Sequence, residues 1–300
     1  MTARSAAMAA ARPTTPAPSA LLALLKPITW FAPMWAFGCG LVSSGRPLSS
    51  HLLTAAAGIV LAGPLLCGTS QAVNDWFDRH VDAINEPGRP IPSGRMPGRW
   101  GLALAIGWSV LSLAVALLLG PWVSVAATLG LVLAWAYSAP PARLKRNGWW
   151  GNLAVGICYE GMPWFAGAAV LQSAMPDGRI IAAALLYSLG AHGIMTLNDF
   201  KSIEGDRQMG IASLPAQLGA ERACQLACVV MTVAQLGMIA LLWHWGLPLY
   251  AAGVGALLLA QLALMLRLLG SPRERAPWYN ATGTSLYVIG MLVAAFGLRP

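Results

Sequence analysis

Long apolar runs separated by short polar segments dominate the chain after its first two dozen residues. A helix needs about 20 apolar residues to cross the hydrocarbon core of a bilayer. Runs that approach or reach this length predict nine spans, at 28–45, 51–73, 100–119, 121–138, 151–170, 180–198, 223–243, 247–269 and 279–297. Backbone polar groups inside lipid must be satisfied within the segment, so each run is predicted to be a helix. The pattern predicts an all-α integral membrane bundle.

The composition excludes a water-soluble protein. Hydrophobic residues make up 57% of the 300 residues, and only 10% are charged, whereas soluble domains carry about 25% charged residues. Residues 1–20 are rich in Ala, Pro, Thr and Ser, which predicts a disordered tail. Residues 21–300 are therefore predicted to form a single transmembrane domain. The five cysteines form no CxxC pair and are interpreted as buried apolar residues.

The basic residues predict the orientation of this bundle. The net charge of +8 could suggest nucleic acid, but the charges lie in short clusters between the apolar runs, so no nucleic-acid partner is expected. With a cytoplasmic N-terminus, 16 of the 19 Lys and Arg residues fall in cytoplasmic segments. Such an excess is typical of the cytoplasmic side of membrane proteins. It predicts a cytoplasmic N-terminus and a C-terminus on the opposite side.

Acidic residues cluster at the cytoplasmic ends of the second and sixth predicted spans, where seven of the eleven Asp and Glu residues fall. At about 100° per residue, an amide and three carboxylates share one helix face in the first stretch. These four residues are Asn74, Asp75, Asp78 and Asp82. If the helix continues past Gly205, four residues of the second stretch take the same four angles: Asn198, Asp199, Ser202 and Asp206.

Such a face indicates a metal site. Neighbouring carboxylates repel each other, and their burial at a membrane edge costs free energy unless a cation lies between them. Oxygen ligands without His or Cys at suitable spacing favour Mg²⁺, with Mn²⁺ as the alternative, over zinc. Mg²⁺ commonly joins one or two carboxylates to substrate phosphates. The two faces, with Arg and Lys nearby, therefore predict a diphosphate held by metal ions, and solvated charged loops are the structural alternative.

The two acidic stretches also indicate an internal repeat. Each begins with Asn-Asp-aromatic, at Asn74 and Asn198, and each is followed by a loop that contains Gly, Pro and Ser. Secondary transporters also bind their substrates between such repeats, so a cation-coupled transporter is an alternative to an enzyme. Transporters place polar residues near the bilayer midplane, whereas these acids cluster at one edge. The clustering favours an enzyme.

The motif NDxxDxxxD, from Asn74 to Asp82, and the second Asp-rich loop resemble the UbiA superfamily of intramembrane prenyltransferases. The resemblance covers nearly all of the chain after the tail. Three further segments are similar to the chlorophyll and bacteriochlorophyll synthase branch: INEPGRPIPSGR at 84–95, YSAPPARLKRNGWWGN at 137–152 and LNDFKSIEGDRQMGIASLPAQLG at 197–219. Ser202 stands where many members have Asp. This departure weakens the alternative of an aromatic prenyltransferase of quinone biosynthesis.

The resemblance implies a Mg²⁺-dependent esterification of the propionate of chlorophyllide or bacteriochlorophyllide by geranylgeranyl or phytyl diphosphate. It places the enzyme in a cytoplasmic or intracytoplasmic photosynthetic membrane, with its site on the cytoplasmic side and pigment-protein assembly factors as candidate partners. We expect one Mg²⁺ to be held by Asn74, Asp75, Asp78 and Asp82, and a second by Asp199 and Asp206. Six basic residues are candidates to grip the leaving diphosphate: Arg79, Arg89, Arg143, Lys145, Lys201 and Arg207.

Three residues within the spans complete the expected site. Tyr137 would stabilise an allylic cation with its ring, beside the catalytic carboxylates Asp78, Asp82, Asp199 and Asp206. Glu160 lies inside a span, where an acid is usually functional, and is a candidate to bind the pigment or its central Mg; an ion pair with an Arg is the alternative. His192 is a second candidate ligand for that metal. The pigment's own carboxylate would be the nucleophile, so no strong general base is expected.

Overall fold

The computed structural model describes residues 15–300, and its regular structure is helical apart from one isolated bridge between Asn147 and Ala212. The first seven α-helices of this range are α1 (Pro18–Leu25), α2 (Phe31–Ser43), α3 (Leu52–Val60), α4 (Gly68–Asn85), α5 (Trp100–Leu119), α6 (Pro121–Ser138) and α7 (Gly148–Gly156). The next seven are α8 (Met162–Gln172), α9 (Gly178–Asn198), α10 (Ile203–Gln208), α11 (Leu214–Leu218), α12 (Ala220–His244), α13 (Pro248–Leu269) and α14 (Pro272–Gly297).

The predicted membrane bundle is confirmed. Within residues 15–300, eight helical segments are long and apolar enough to cross a membrane. The bent pair Pro18–Thr29 and Phe31–Ser43, with 57° between its two parts, makes a ninth if it counts as one span. The predicted runs 100–119 and 121–138 coincide with α5 and α6. Residues 1–14 of the predicted tail lie outside the described range, and residues 18–20 belong to α1.

Local sequence explains where the helices around the site begin. Gly120 has a φ of 122°, a conformation that disfavours any residue with a Cβ, and it turns the chain sharply between α5 and α6. Pro121 then starts α6 at a position where the missing N–H of proline costs nothing. The Asn147 side chain caps α7 by accepting hydrogen bonds from the backbone N–H groups of Trp149 at 2.9 Å and Trp150 at 3.3 Å.

Glycines bring α2 and α8 into close contact, because residues without a side chain let two helix backbones approach each other. A Cβ on Gly40 of α2 would lie 2.1 Å from the carbonyl oxygen of Trp164 in α8, and a Cβ on Gly167 would lie 2.1 Å from that of Phe37. No side chain fits at either position without moving a backbone. The crossing of α2 and α8 therefore depends on both glycines.

Two π-helical turns interrupt the spans that surround the interior cavity. Leu61–Cys67 joins α3 to α4 and contains Pro64, whose ring cannot continue an α-helix. Ile157–Gly161 joins α7 to α8. Such turns are frequent at functional sites because they redirect side chains. The second turn directs Tyr159 and Glu160 towards the cavity.

Candidate active site

A cavity of about 800 Å³ lies between α2, α4, α6, α7, α9 and α14. Its walls are mostly apolar, but one end is polar and is lined by Asn74, Asn198, Asp199, Lys201 and Ser202. At its side, the wall includes Ile28 and Phe31, which are 89% and 59% exposed, and the exposed Ser285 of α14. The cavity therefore opens sideways between the start of α2 and α14, where lipid would surround the bundle.

The first acidic stretch lies on α4, as predicted, but its four polar residues divide into two pairs. Asn74 and Asp78 form the first pair, in which the Asn74 amide donates to Asp78 Oδ2 at 3.2 Å. The same carboxylate binds Lys145 Nζ at 2.5 Å and Arg143 Nη2 at 3.5 Å. Asn74 also lines the cavity. Asp78 and the two predicted basic residues that bind it therefore adjoin the polar end through Asn74.

Asp75 and Asp82 form the second pair and share one guanidinium. Arg89 Nη1 lies 3.0 Å from Asp75 Oδ1 and 3.0 Å from Asp82 Oδ2, and Lys26 Nζ lies 3.0 Å from the same Asp75 oxygen. Asp75 is only 1% exposed. Arg89 also donates two hydrogen bonds of 2.8 Å to Glu86, which lower the pKa of the Glu86 carboxyl. The Arg89 side chain thus fastens the loop after α4 onto that helix.

All three lysines of the protein lie at this site. Lys26 binds Asp75, Lys145 binds Asp78, and Lys201 is exposed at the polar end of the cavity. Burial lowers the pKa of the Lys145 ammonium, and the neighbouring Asp78 carboxylate opposes that shift. Positive charge is therefore concentrated around the carboxylates, which is the arrangement that a diphosphate requires.

The second acidic stretch is not one continuous α-helix, the condition on which the shared angles depend, and the break lies at Asp199 rather than at Gly205. α9 ends at Asn198, a 3₁₀ turn covers Asp199–Ser202, and α10 then runs through Gly205 to Gln208. Asp206 nevertheless stays close to the turn. Its Oδ2 accepts hydrogen bonds from Ser202 Oγ at 3.0 Å and from Ser213 Oγ at 2.6 Å.

Four contacting residues were missed by the sequence analysis: Lys26, Asn152, Ser213 and Asn280. The Asn152 amide donates to Asp199 Oδ2 at 3.3 Å, and the Asn280 amide donates to Asn198 Oδ1 at 2.7 Å. Both residues are amides within apolar runs, and this unusual position is the sequence feature that could have identified them. Ser213 belongs to the Gly-, Pro- and Ser-containing loop after the second acidic stretch, but that pattern does not indicate its contact with Asp206. The same loop pairs with the segment before α7 through the Asn147–Ala212 bridge.

Of the other residues predicted for the site, some line the cavity and some lie outside it. Tyr137 and Glu160 line the cavity, as expected. Arg79 does not reach it: its guanidinium lies 4.1 Å from the centre of the Trp76 ring and donates to the Trp76 carbonyl at 2.6 Å. Arg207 is exposed and outside the cavity wall. His192 is also outside this wall, and its ring centre lies 5.9 Å from that of Trp149.

The donors at the polar end fit a hard cation by type, because they are carboxylate, amide and hydroxyl oxygens. Within residues 15–300, no three His, Cys, Asp or Glu side chains are close enough to form a metal cluster. Mg²⁺ does not require one, since it keeps several waters and binds one or two carboxylates together with substrate phosphates. Asp75 fits least well, because it is buried between Lys26 and Arg89.

Comparisons of sequence place the chain among known proteins. Residues 29–288 match the UbiA prenyltransferase family. The bacteriochlorophyll synthase 33 kDa chain of Cereibacter sphaeroides is 58% identical over 286 residues, which cover 95% of each chain. The chloroplastic chlorophyll synthase of Oryza sativa is 37% identical over 290 residues, which cover 91% of this chain and 75% of the plant protein.

The fold is similar to that of solved membrane proteins. A UbiA homologue from Archaeoglobus fulgidus, solved bound to GPP and Mg²⁺, superposes with a TM-score of 0.72. The two chains are 19% identical, and the alignment covers 93% of this chain and 99% of the archaeal one.

Proposed function

Because the chain belongs to the UbiA prenyltransferase family, we propose that it joins a prenyl chain to the propionate of bacteriochlorophyllide and releases diphosphate. It is an intramembrane prenyltransferase of the bacteriochlorophyll and chlorophyll synthase branch. The identity of 58% with a bacteriochlorophyll synthase, against 37% with a plant chlorophyll synthase, favours the bacteriochlorin as acceptor. The same identity favours this function over a quinone-type prenyltransferase and over a transporter.

One observation supports the reaction most directly: a single cavity joins a polar, cation-rich end to a large apolar interior with a sideways opening. A prenyl diphosphate needs both parts, since its headgroup is highly charged and its chain is as apolar as lipid. The pigment has the same division, with one carboxylate on a broad hydrophobic ring. Both substrates can thus present their polar ends at one place while their apolar parts remain out of water.

Mg²⁺ would be held at the polar end by Asn74 and Asp78 on one side, and by Asp199 and Asp206 on the other. Bound there, it would draw electron density from the diphosphate and weaken the allylic carbon–oxygen bond. Asp75 is assigned a structural role, because Lys26 and Arg89 already neutralise it inside the protein. Asp82 is left out of the metal ligands, because it shares the Arg89 guanidinium with Asp75. The predicted ligand set is revised accordingly.

Protein cations would bind the diphosphate oxygens directly. Lys201 lines the cavity, while Lys145 and Arg143 approach it through Asp78. Arg79 and Arg207 are removed from the predicted set, because Arg79 packs on the Trp76 ring and Arg207 is exposed, whereas Lys145 and Arg143 bind the proposed metal ligand Asp78. Arg89 is better assigned to fastening its loop, since three carboxylates already bind it.

The transfer requires no proton movement. A carboxylate oxygen of the pigment forms a bond to carbon 1 of the prenyl chain, while the bond from that carbon to the diphosphate oxygen breaks. The leaving diphosphate takes the bonding electron pair. Tyr137 lines the cavity below the polar end, where its ring would stabilise positive charge on the allylic carbons. The apolar walls keep water from capturing that cation.

An esterification assay tests the proposal. Membranes from a host that makes no chlorophyll, expressing this chain, would receive bacteriochlorophyllide a or chlorophyllide a with geranylgeranyl or phytyl diphosphate, and either Mg²⁺ or EDTA. We expect a Mg²⁺-dependent esterified pigment, formed faster from the bacteriochlorin. Prenylation of 4-hydroxybenzoate without any pigment ester would overturn the acceptor, and binding without any covalent product would overturn the enzyme class. Sealed vesicles of known orientation would test the proposed cytoplasmic location of the site.

A further inference from the structure

Three buried polar atoms on the cavity wall have no hydrogen-bond partner among residues 15–300: Glu160 Oε2, Thr284 Oγ1 and Asn280 Oδ1. Buried polar groups are normally paired, because leaving one unpaired costs about 1–3 kcal/mol. Nothing in the proposed transfer uses Glu160 or Thr284. Their position on the wall of a cavity that holds substrate points to a ligand that supplies the missing partners.

The residues on this wall lie at increasing depths below the polar end of the cavity. Asn280 contacts Asn198 at the polar end, and Thr284 follows one helical turn later on α14, about 6 Å deeper. Asn152 contacts Asp199 at the same end, and Glu160 follows eight residues later, about 12 Å deeper along α7 and the π-helical turn. If the carboxylate of a rigid pigment ring lies at the polar end, the edge of the ring reaches depths similar to those of Thr284 and Glu160. Only a few substituents on that edge are polar.

Glu160 is 4% exposed, and within the described range no Lys, Arg or His forms an ion pair with it. An ionised carboxylate without a cation is very costly in such surroundings, which favour the neutral acid. A neutral acid donates one hydrogen bond through its O–H, and the Thr284 hydroxyl can donate another. Both O–H groups can therefore donate hydrogen bonds to carbonyl oxygens.

We propose that Glu160 and Thr284 form a subsite that positions the acceptor pigment by donating hydrogen bonds to carbonyl oxygens on the periphery of its ring. The inference rests on the proposed function and adds specificity to it. The prenyl diphosphate has no carbonyl group, so the subsite acts on the acceptor alone. Glu160 and Thr284 are positioning residues, since the reacting carboxylate lies at the other end of the ring.

The test is a comparison of KM values for the two substrates in E160Q, E160L and T284V. Each hydrogen bond of this kind is worth about 3- to 30-fold in affinity. We expect E160L and T284V to raise KM for bacteriochlorophyllide a by such factors and to leave KM for geranylgeranyl diphosphate within about twofold. E160Q keeps a donor and should restore most of the pigment affinity. T282V is the matched control, because the Thr282 hydroxyl already donates to the Trp278 carbonyl at 2.9 Å.

A second acceptor identifies the carbonyl group. Chlorophyllide a keeps the ring ketone but carries a vinyl group where bacteriochlorophyllide a carries an acetyl group. A KM raised by E160L for both pigments assigns Glu160 to a carbonyl that both share, the ring ketone or the methyl ester beside it, and a KM raised only for the bacteriochlorin assigns it to the acetyl group. A carbonyl stretching band of the bound pigment that lies lower in frequency in the wild type than in E160L would support the hydrogen bond independently.

Three outcomes would overturn the inference. An unchanged pigment KM in E160L and T284V would show that neither residue touches the ring. Equal rises in the KM of both substrates would indicate a general change in the cavity. Failure of E160Q to restore affinity would show that a carboxylate, not a donor, is needed. All three presuppose an active wild type, so they are distinct from a wild type that esterifies no pigment, which would contradict the proposed function itself.

Discussion

The Lys145 ammonium lies 2.5 Å from Asp78 Oδ2 and joins the loop after α6 to the first acidic stretch on α4. The two residues are 67 positions apart in the sequence. The short turn at Gly120 sends α6 back beside α4, so that Ser138 at its end accepts a hydrogen bond from Asn74 at 3.3 Å. Lys145 is therefore held where it can exchange a carboxylate oxygen for an oxygen of the entering diphosphate.

Replacing Lys145 should weaken use of the prenyl diphosphate. A hydrogen bond to a charged group contributes about 1.5–3 kcal/mol, so we expect K145A to lower kcat/KM for geranylgeranyl diphosphate by about 10- to 100-fold. Steady-state kinetics with each substrate varied in turn would measure it. R146A is the matched control, since Arg146 is the next residue and is exposed. An equal loss in R146A would contradict a specific role for Lys145.

Removing a proposed metal ligand should abolish most of the transfer. D78A and D206A are each expected to reduce the Mg²⁺-dependent rate by about 100-fold or more, because less charge on the diphosphate is neutralised in the transition state. Pigment ester extracted after a fixed time is a sufficient measurement. Glu204 lies in the same acidic stretch but is 65% exposed and paired with Arg273, so E204A should retain activity. Full activity in D78A and D206A would rule out both assignments.

Asn152 orients Asp199 by donating to it at 3.3 Å. Residues that hold a metal ligand in place typically alter metal affinity by about 10- to 100-fold when they are replaced. In N152L, the Mg²⁺ concentration at half-maximal activity should rise by that factor, and excess Mg²⁺ should restore the rate. T196V removes the other contact of the Asn152 amide, to Thr196 at 3.2 Å, and should leave the Mg²⁺ requirement near normal. If the two variants require the same Mg²⁺ concentration, the contact with Asp199 is not important.

Arg89 should matter for stability before it matters for substrate binding. Its removal leaves buried Asp75 with Lys26 alone, takes from buried Asp82 the cation that binds it, and frees the loop from α4. We expect R89A to lose about 3–5 kcal/mol, the usual cost of breaking a buried ion pair. Thermal unfolding in detergent would measure this loss. R95A, at an exposed site in the same loop, should be nearly neutral. Normal stability in R89A, combined with a raised KM for the diphosphate, would restore the predicted gripping role.

Two glycines on α2 offer a direct test of the packing. A Cβ on Gly40 would overlap the Trp164 carbonyl oxygen, whereas a Cβ on Gly38 would have open space around it. G40A should therefore lower the yield of folded protein and its melting temperature, while G38A should be neutral or slightly stabilising. Size-exclusion profiles in detergent would separate the two. Similar behaviour of both variants would contradict the tight crossing of α2 and α8.

The sequence predicts the bundle well because lipid imposes a simple rule: each span must be apolar and about 20 residues long. Runs 100–119 and 121–138 correspond to helices with the same ends for this reason. The first predicted span, 28–45, is less regular: the structure has a bent pair from Pro18 to Ser43 with 57° between its parts, and Pro27 begins the short 3₁₀ turn next to the bend. Helical periodicity also identifies the face of α4 that carries Asn74 and Asp78.

Helical periodicity does not show which residues from other segments contact a given face of a helix. Asp75 lies about 100° from Asn74 around the helix, and that angle is enough to turn it to Lys26 and Arg89, away from the cavity. In the second stretch, a 3₁₀ turn at Asp199 breaks the angular register on which the prediction depends. Contacts such as Ser213 to Asp206 arise from loop pairing, and a single sequence carries no signal for it.

Because the cavity opens sideways beside Phe31 and Ser285, the substrate concentration that this enzyme experiences is the concentration within the bilayer. Its substrates and its esterified product are solutes of the bilayer, so the rate depends on their mole fraction among lipids rather than on their amount per volume of water. Added lipid or detergent should slow the reaction by surface dilution alone. The product leaves into the same two-dimensional solvent from which the next substrate arrives. Turnover will then be limited by competition from product that accumulates in the surrounding bilayer.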